Sequence, residues 1–461
     1  LVDRHYSFFI VAIVAVGLLL RIAAAQGGLW LDEAWSAEFA RQAGTPLGVL
    51  LSINHDNNHH LTSLWLLAVG EAAAPVVQRA LSIVTGTIGI IVAAEIVRPR
   101  NRGVAVIAAA LFAVTPILVT MGSEARGYAG MTLALLTAIL LVDRWLVEEH
   151  GDRTAFRLGL CFLLGALSQL TMVFGCVALV GWTFVTLAQR HGAGIAARRT
   201  LALFAAPLLV LAAVLGLVAV AALASPAGFQ IGSYIPFQRS LFVRALTDVV
   251  GYTVGWAPLS AWAIVPVLIL VAVARRAGAR HVGFYSLAIV AFPAMLVLLQ
   301  IGNTGYPRYY MLTAVALLLL MAETLGIAVA RGGWRRGAAL AVLAAMLSGG
   351  LWQDAALIRN QRGDPDRAIA ALRARAPGGA TVLLDPASGL AILRVAAARR
   401  HYPIAFVMSG CRPARFLFAH YFAGESVPLA PIRCGVRYRP IASATAQGLS
   451  GTHWTLYERR P

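Results

Sequence analysis

Two acids stand side by side near the start of the chain. Residues 27–36 read Gly-Gly-Leu-Trp-Leu-Asp-Glu-Ala-Trp-Ser, which places Asp32 next to Glu33. Either carboxylate could act as a general base, removing a proton from an attacking hydroxyl. An acid at that point also suits a helix start, and a short amphipathic helix is predicted over 33–43, with Trp35, Phe39 and Ala43 on one stripe. The two roles are compatible. Further on comes His55-Asp56-Asn57-Asn58-His59-His60. If that run is helical, His55 and His59 lie at i and i+4, as do Asp56 and His60. Such spacing could bind a divalent ion through His55, Asp56 and His59. It could equally hydrogen-bond a sugar or phosphate, or stay a solvated loop. No cysteine joins it, and no metal is required for the chemistry read here. His55, Asp56, Asn58 and His60 are therefore taken as a polar cluster for an acceptor or for the loop itself.

Cations supply the complementary chemistry. Arg126 lies in Ser123-Glu124-Ala125-Arg126-Gly127-Tyr128, and Arg308 in Tyr306-Pro307-Arg308-Tyr309-Tyr310. A guanidinium can grip phosphate with two parallel hydrogen bonds. The bland alternative is an arginine snorkelling at a span end. Two of them on the side of the acidic pair favour phosphate, with Arg79 as a weaker third candidate.

The surrounding chain is membrane in character. Of 461 residues, 59% are hydrophobic and 13% charged, against about 45–50% and about 25% in soluble domains. The net charge of +18 would suggest nucleic acid in a soluble chain, but here the arginines fall in short loops between spans and no nucleic-acid partner is expected. Apolar runs of spanning length predict about eleven helices, at 6–26, 77–97, 104–121, 128–147, 157–173, 174–190, 200–223, 258–274, 282–301, 309–330 and 336–352.

Arginine-rich loops follow the second, sixth, eighth and tenth of these: Arg98, Arg100 and Arg102; Arg190, Arg198 and Arg199; Arg275, Arg276 and Arg280; Arg331, Arg335 and Arg336. The positive-inside rule makes that side cytoplasmic. The acidic pair, Arg126, Arg308 and everything after about 353 then face the other side. An ionisable group at such a membrane edge is a functional candidate by default. Residues 60–72 could form a second interfacial helix within the 27–76 loop, or lead into the second span.

The last hundred or so residues change character. A helix opening at Asp364-Pro365-Asp366, a buried strand at Thr381-Val382-Leu383-Leu384, a second helix and closing strands through Trp454–Tyr457 predict a small α/β domain. It carries no phosphate-binding glycine fingerprint. Cys411 and Cys434 lie in it and could pair in an oxidising compartment, whereas Cys161 and Cys176 lie in apolar runs. The expected organisation is a transmembrane catalytic domain over 1–352 and an extracytoplasmic α/β domain over 353–461.

Four stretches in order resemble the GT-C superfamily of membrane glycosyltransferases: Trp30-Leu31-Asp32-Glu33-Ala34, Asp56-Asn57-Asn58-His59-His60-Leu61, Ser123-Glu124-Ala125-Arg126-Gly127-Tyr128, and Pro307-Arg308-Tyr309-Tyr310. The similarity is to the branch of bacterial protein mannosyltransferases and lipid A aminoarabinose transferases. The resemblance implies a polytopic helical fold in a bacterial inner membrane. It implies an inverting transfer from a polyprenyl-phosphate sugar, with Asp32 as base and Glu33 as the neighbouring acid. Arg126 and Arg308 fall where the donor phosphate is expected, and His59, Tyr128, Tyr309 and Arg79 join them as donor-site candidates. His60 departs from the family pattern, which has proline there. The expected partners are membrane lipids, a lipid-linked sugar and an extracytoplasmic acceptor hydroxyl on a glycolipid, polysaccharide or protein. Two other readings are open: a lipid or solute transporter, and a GT-C enzyme taking a lipid-pyrophosphate oligosaccharide. A transporter is disfavoured because the acids gather in loops and no repeated half is visible.

Overall fold

The first helix, Val2–Ala24, is apolar along most of its length and delivers the chain to Gly27, which takes a left-handed φ of 81°. A computed structural model describes residues 2–148, 153–276, 281–408, 414–422 and 425–459. Cys411, which could pair with Cys434, and Arg280 of the third arginine loop fall outside these residues. The chain folds as a polytopic helical membrane protein with a small C-terminal α/β unit. Each of the eleven expected spans coincides with helix. Among the described residues, however, seven helices are long and apolar enough to cross a membrane by themselves. The others are shorter or broken. The 104–121 run is split at Thr115-Pro116 into Arg102–Val114 and Pro116–Met121, because proline lacks the N–H that would continue the ladder. The expected 258–274 span becomes α-helical only at Ile264, after a 3-10 turn over Ala261–Ala263.

Close helix packing relies on small residues, as is usual between membrane helices. The alanine-rich Arg102–Val114 helix packs against Val2–Ala24, Ala80–Val97 and Met311–Arg331. A Cβ on Gly326 would meet Val104 Cγ2 at 2.5 Å. Acids do lie inside helices, contrary to the expectation that they gather in loops, and among the described residues Asp143, Glu323 and Asp354 are buried in long ones. His281 bridges the first two, with Nε2 3.1 Å from Asp143 and Nδ1 2.5 Å from Glu323.

Arg100, in the first of the arginine loops, lies 3.9 Å from Glu323 of this cluster. Elsewhere the first loop, residues 122–127, 225–238 and 303–308 interlock. Gln230 N–H donates to Asn54 O at 2.8 Å, Asp56 N–H to Gln230 O at 2.9 Å, and Asn303 N–H to Ile235 O at 2.8 Å. The first loop holds the helices Leu31–Ala43, Pro46–Leu51 and His60–Val69.

The last long helix, Gly333–Asn360, runs past the expected boundary at 352. Beyond Gly363 comes a helix, Asp366–Arg375, and then a sheet. Its described strands are β1 (Ala380–Asp385), β2 (Ile404–Val407), β3 (Phe416–Tyr421), β4 (Ile432–Arg433), β5 (Val436–Ala444) and β6 (His453–Arg459). The order is β2-β1-β3-β6-β5-β4, parallel at β2-β1-β3 and antiparallel beyond. A helix, Gly389–Arg399, connects β1 to β2 and lies on Leu31–Ala43 of the first loop.

Arg362 joins the two parts. Fully buried, it donates to Ala24 O at 2.6 Å, Thr120 O at 3.1 Å, Ser123 Oγ at 2.7 Å and Ser450 Oγ at 3.2 Å. Leu31 N–H reaches Thr452 Oγ1 at 2.9 Å, so the start of the Asp32 helix is tied directly to the sheet.

Candidate active site

The helix carrying the acidic pair begins at Leu31, two residues before the predicted start. Trp30 is its N-cap, and its N–H donates to Glu33 Oε2 at 3.2 Å. Glu33, not Asp32, is therefore the capping carboxylate, reaching back from the third helical position. Glu33 is wholly buried. Arg79 pairs with it through Nη2 at 2.5 Å and Nε at 2.8 Å, and Ala125 N–H donates to it at 2.6 Å. Burial alone would push this carboxyl up. The Arg79 charge and hydrogen bonds, Arg362 and the Ala125 N–H outweigh that and hold it below the ordinary glutamate range. Arg79 spends its remaining donors on Ala25 O, Gly27 O and Gly28 O at 2.7, 2.9 and 3.1 Å.

Asp32, one residue earlier, points elsewhere and is 21% exposed. Its Oδ2 accepts a hydrogen bond from Nη1 of Arg126 and is ion-paired with Nη1 of Arg308 at 3.0 Å. Arg126 is fastened on its other sides. Its Nη2 donates to Asn57 Oδ1 at 2.9 Å and its Nε to His59 Nε2 at 3.2 Å. Because Nε2 accepts, the His59 proton sits on Nδ1 and faces Ser168 O at 3.2 Å. Burial and the neighbouring Arg126 charge hold His59 well below its ordinary pKa, so it stays neutral. The rings of Tyr128 and Trp30 lie 5.2 and 5.7 Å from the Arg126 guanidinium, within cation–π range. Arg308 rests against Tyr306 at 4.6 Å and Tyr309 at 5.7 Å. Asn57 completes the frame by donating to Asp32 O at 2.7 Å.

This is one partly exposed carboxylate, gripped by two guanidiniums that come from segments far apart in sequence. A partly exposed carboxylate can take a proton there, and the cations can stabilise an anion that develops beside it. A cleft of about 270 Å³ opens on the same face between the first loop and residues 225–230. Phe39, Gln42, Ser52, Asn54, His55 and Gln230 are among its lining residues, and no arginine or carboxylate lines it.

The whole-chain fold has solved counterparts. ArnT from Cupriavidus metallidurans in the apo state matches at a TM-score of 0.59, covering 98% of this chain and 98% of its own, at 13% identity. The same protein bound to undecaprenyl phosphate matches at 0.56, with the same coverage and 15% identity. The oligosaccharyltransferase of Archaeoglobus fulgidus tethered with an acceptor peptide matches at 0.53 and 12% identity, covering 87% of this chain and 64% of its own. The chain shares its fold with these proteins, over nearly the whole length of ArnT. No protein-family model and no curated protein matches its sequence.

Within this fold the sequence-derived candidates divide into two sets. Asp32, Arg126 and Arg308 meet, with Tyr128 and Tyr309 as ring supports. Glu33 and Arg79 do not join them. They form a buried pair behind the site, every polar atom of it committed, which departs from a catalytic role for Glu33 and a donor-binding role for Arg79. His59 is only 1% exposed and serves Arg126 rather than facing a ligand. The 55–60 run is a turn, not a helix, because Asp56 is stitched to Gln230. The i and i+4 spacing therefore does not apply, and among the described residues no group of His, Cys, Asp and Glu could hold a metal ion. His55 lies on the Phe39 ring at 4.9 Å, with Nδ1 2.8 Å from Asp56 Oδ1. Asn58 braces the loop through Val49 O and Ile53 O at 3.1 and 3.0 Å, and His60 is buried at the first position of its helix. Sequence reasoning missed Asn57 and Ser168. Asn57 lies inside the polar 55–60 cluster, whereas Ser168 contributes only a backbone carbonyl, which no side-chain pattern reveals.

Proposed function

We propose that the chain is an inverting glycosyltransferase taking a sugar from a polyprenyl-phosphate donor. The observation that carries this reading is the joint hold of Arg126 and Arg308 on Asp32 at an exposed rim. The shared fold with a protein solved bound to undecaprenyl phosphate supports it. The acceptor oxygen attacks the anomeric carbon, and Asp32 takes the proton of its hydroxyl. The bond from that carbon to the phosphate oxygen breaks, and polyprenyl phosphate leaves with the electron pair. Guanidiniums offset the charge that develops on it. Inversion follows from a single displacement. The uncharged cleft beside Phe39 and His55 suits the approach of a hydroxyl-bearing acceptor. By the arginine-loop rule this face is extracytoplasmic, a side to which a lipid-borne donor can be flipped.

The direct test is donor consumption. Purified protein in lipid nanodiscs is mixed with a panel of polyprenyl-phosphate sugars and an envelope fraction as acceptor, and release of polyprenyl phosphate is followed. Envelope glycolipids and glycoproteins are compared by mass spectrometry with and without the gene. Release with at least one donor and a missing glycoform are expected. No release with any donor and an unchanged envelope would overturn the reading in favour of a transporter.

A further inference from the structure

The two arginines on Asp32 are held very differently. Arg126 is fixed by Asn57, His59 and the ring of Tyr128, its backbone carbonyl is clasped by Ser82 Oγ at 2.9 Å, and its side chain is 4% exposed. Arg308 has Asp32 as its ion-pair partner and two tyrosine rings as its bed. Its Nε is buried without a hydrogen-bond partner, and its side chain is 18% exposed. It sits in the 3-10 turn Pro307–Tyr310 that opens the helix Met311–Arg331. Meanwhile one oxygen of the carboxylate, Asp32 Oδ2, accepts a hydrogen bond from Arg126 and is ion-paired with Arg308.

We propose that Arg308 is an exchangeable partner of Asp32. The donor phosphate draws Arg308 away, and Asp32 Oδ2 is thereby opened to the acceptor hydroxyl. Arg126 stays and keeps the carboxylate in place. The inference rests on the glycosyltransferase reading above. The exchange is chemically even-handed, because a phosphate offers a guanidinium what a carboxylate does, and more geometry. Through Nε and one Nη, Arg308 can bind two phosphate oxygens in parallel, which satisfies the buried Nε that Asp32 leaves unused. The consequence is an order of events. With no donor bound, Asp32 Oδ2 stays covered, so an acceptor or water arriving first at that oxygen is not activated. Arg308 couples donor arrival to base readiness.

Competition has a distinctive signature: removing the catalytic carboxylate should improve donor-phosphate binding. The probe is undecaprenyl phosphate titrated into the full-length protein in nanodiscs and followed by native mass spectrometry, with inorganic phosphate as the arm that separates lipid from free anion. Asp32→Asn should tighten undecaprenyl phosphate by roughly tenfold, about the worth of one hydrogen bond to a charged group. In an Arg308→Ala background the same Asp32→Asn change should give no tightening, since the competition has lost its subject. Asp32→Ala, checked by size-exclusion profile, serves if the asparagine variant folds poorly. Equal tightening with and without Arg308 would reduce the effect to simple repulsion or assign it to Arg126, and would overturn the exchange. So would unchanged or weaker binding in Asp32→Asn. Failure of the unsubstituted protein to bind undecaprenyl phosphate would instead strike the glycosyltransferase reading and remove the inference with it.

Discussion

Glu33→Gln is the substitution that best separates the two neighbouring acids. Glu33 and Arg79 are both fully buried and joined by two hydrogen bonds. Neutralising one member of such a pair leaves an uncompensated buried charge and costs about 3–5 kcal/mol. Arg79 retains three backbone carbonyls, and glutamine can still accept one N–H, so the lower end, about 3 kcal/mol, is expected. The assay is thermal unfolding in detergent by fluorescence-detected size exclusion. The variant should melt several degrees early, whereas Asp32→Asn, partly exposed, should melt close to the parent. The pH dependence has a definite sign. Glu33 is held below its ordinary range in the folded protein. Its contribution is therefore present above the unfolded value, about 4.3, and is lost as pH falls below it. The parent should lose stability there with a component that Glu33→Gln lacks. A Glu33→Gln protein that melts like the parent yet turns over no donor would refute this reasoning and return Glu33 to the chemistry.

Two further substitutions probe the frame. A Cβ at Gly127 would overlap Ser168 O, the acceptor for His59; Gly127→Ala should therefore shift the loop at a cost of about 1–3 kcal/mol and lower folded yield and donor turnover together, and parent-like values for both would contradict the packing. Arg362→Ala strips four hydrogen bonds from the junction between helices and sheet. It should open the 361–367 segment to limited trypsin digestion, whereas an unchanged digestion pattern would show that other contacts carry the junction.

Much of the site is legible in the sequence. Asp32, Arg126 and Arg308 stand out because charges at span ends are costly enough to need a reason, and counting spans puts them on one side. The C-terminal elements are legible from breaks such as Pro377-Gly378-Gly379, and the sheet forms where the apolar runs lie. What escapes is long-range pairing. Nothing local distinguishes Glu33, which finds Arg79 46 positions away, from Asp32, which finds Arg126 94 positions away. Helical rotation turns the two acids to different faces, and only the packed fold says which face is wet. The histidine run misleads for a related reason. Its spacing matches a helix, but backbone bonds from Gln230 hold it as a turn. Pro116 and the unwound stretch before Ile264 likewise break runs whose composition alone reads as continuous span.

The central claim is that Asp32 takes the acceptor proton, and it is tested most directly by the turnover of Asp32→Asn. Purified variant and parent, each shown to bind undecaprenyl phosphate, are given a polyprenyl-phosphate sugar that the parent consumes and an envelope fraction from cells lacking the gene. Loss of a general base predicts a fall of at least about a hundredfold in polyprenyl phosphate release, with binding retained. Release at near the parent rate would contradict the assignment and place the base on another residue.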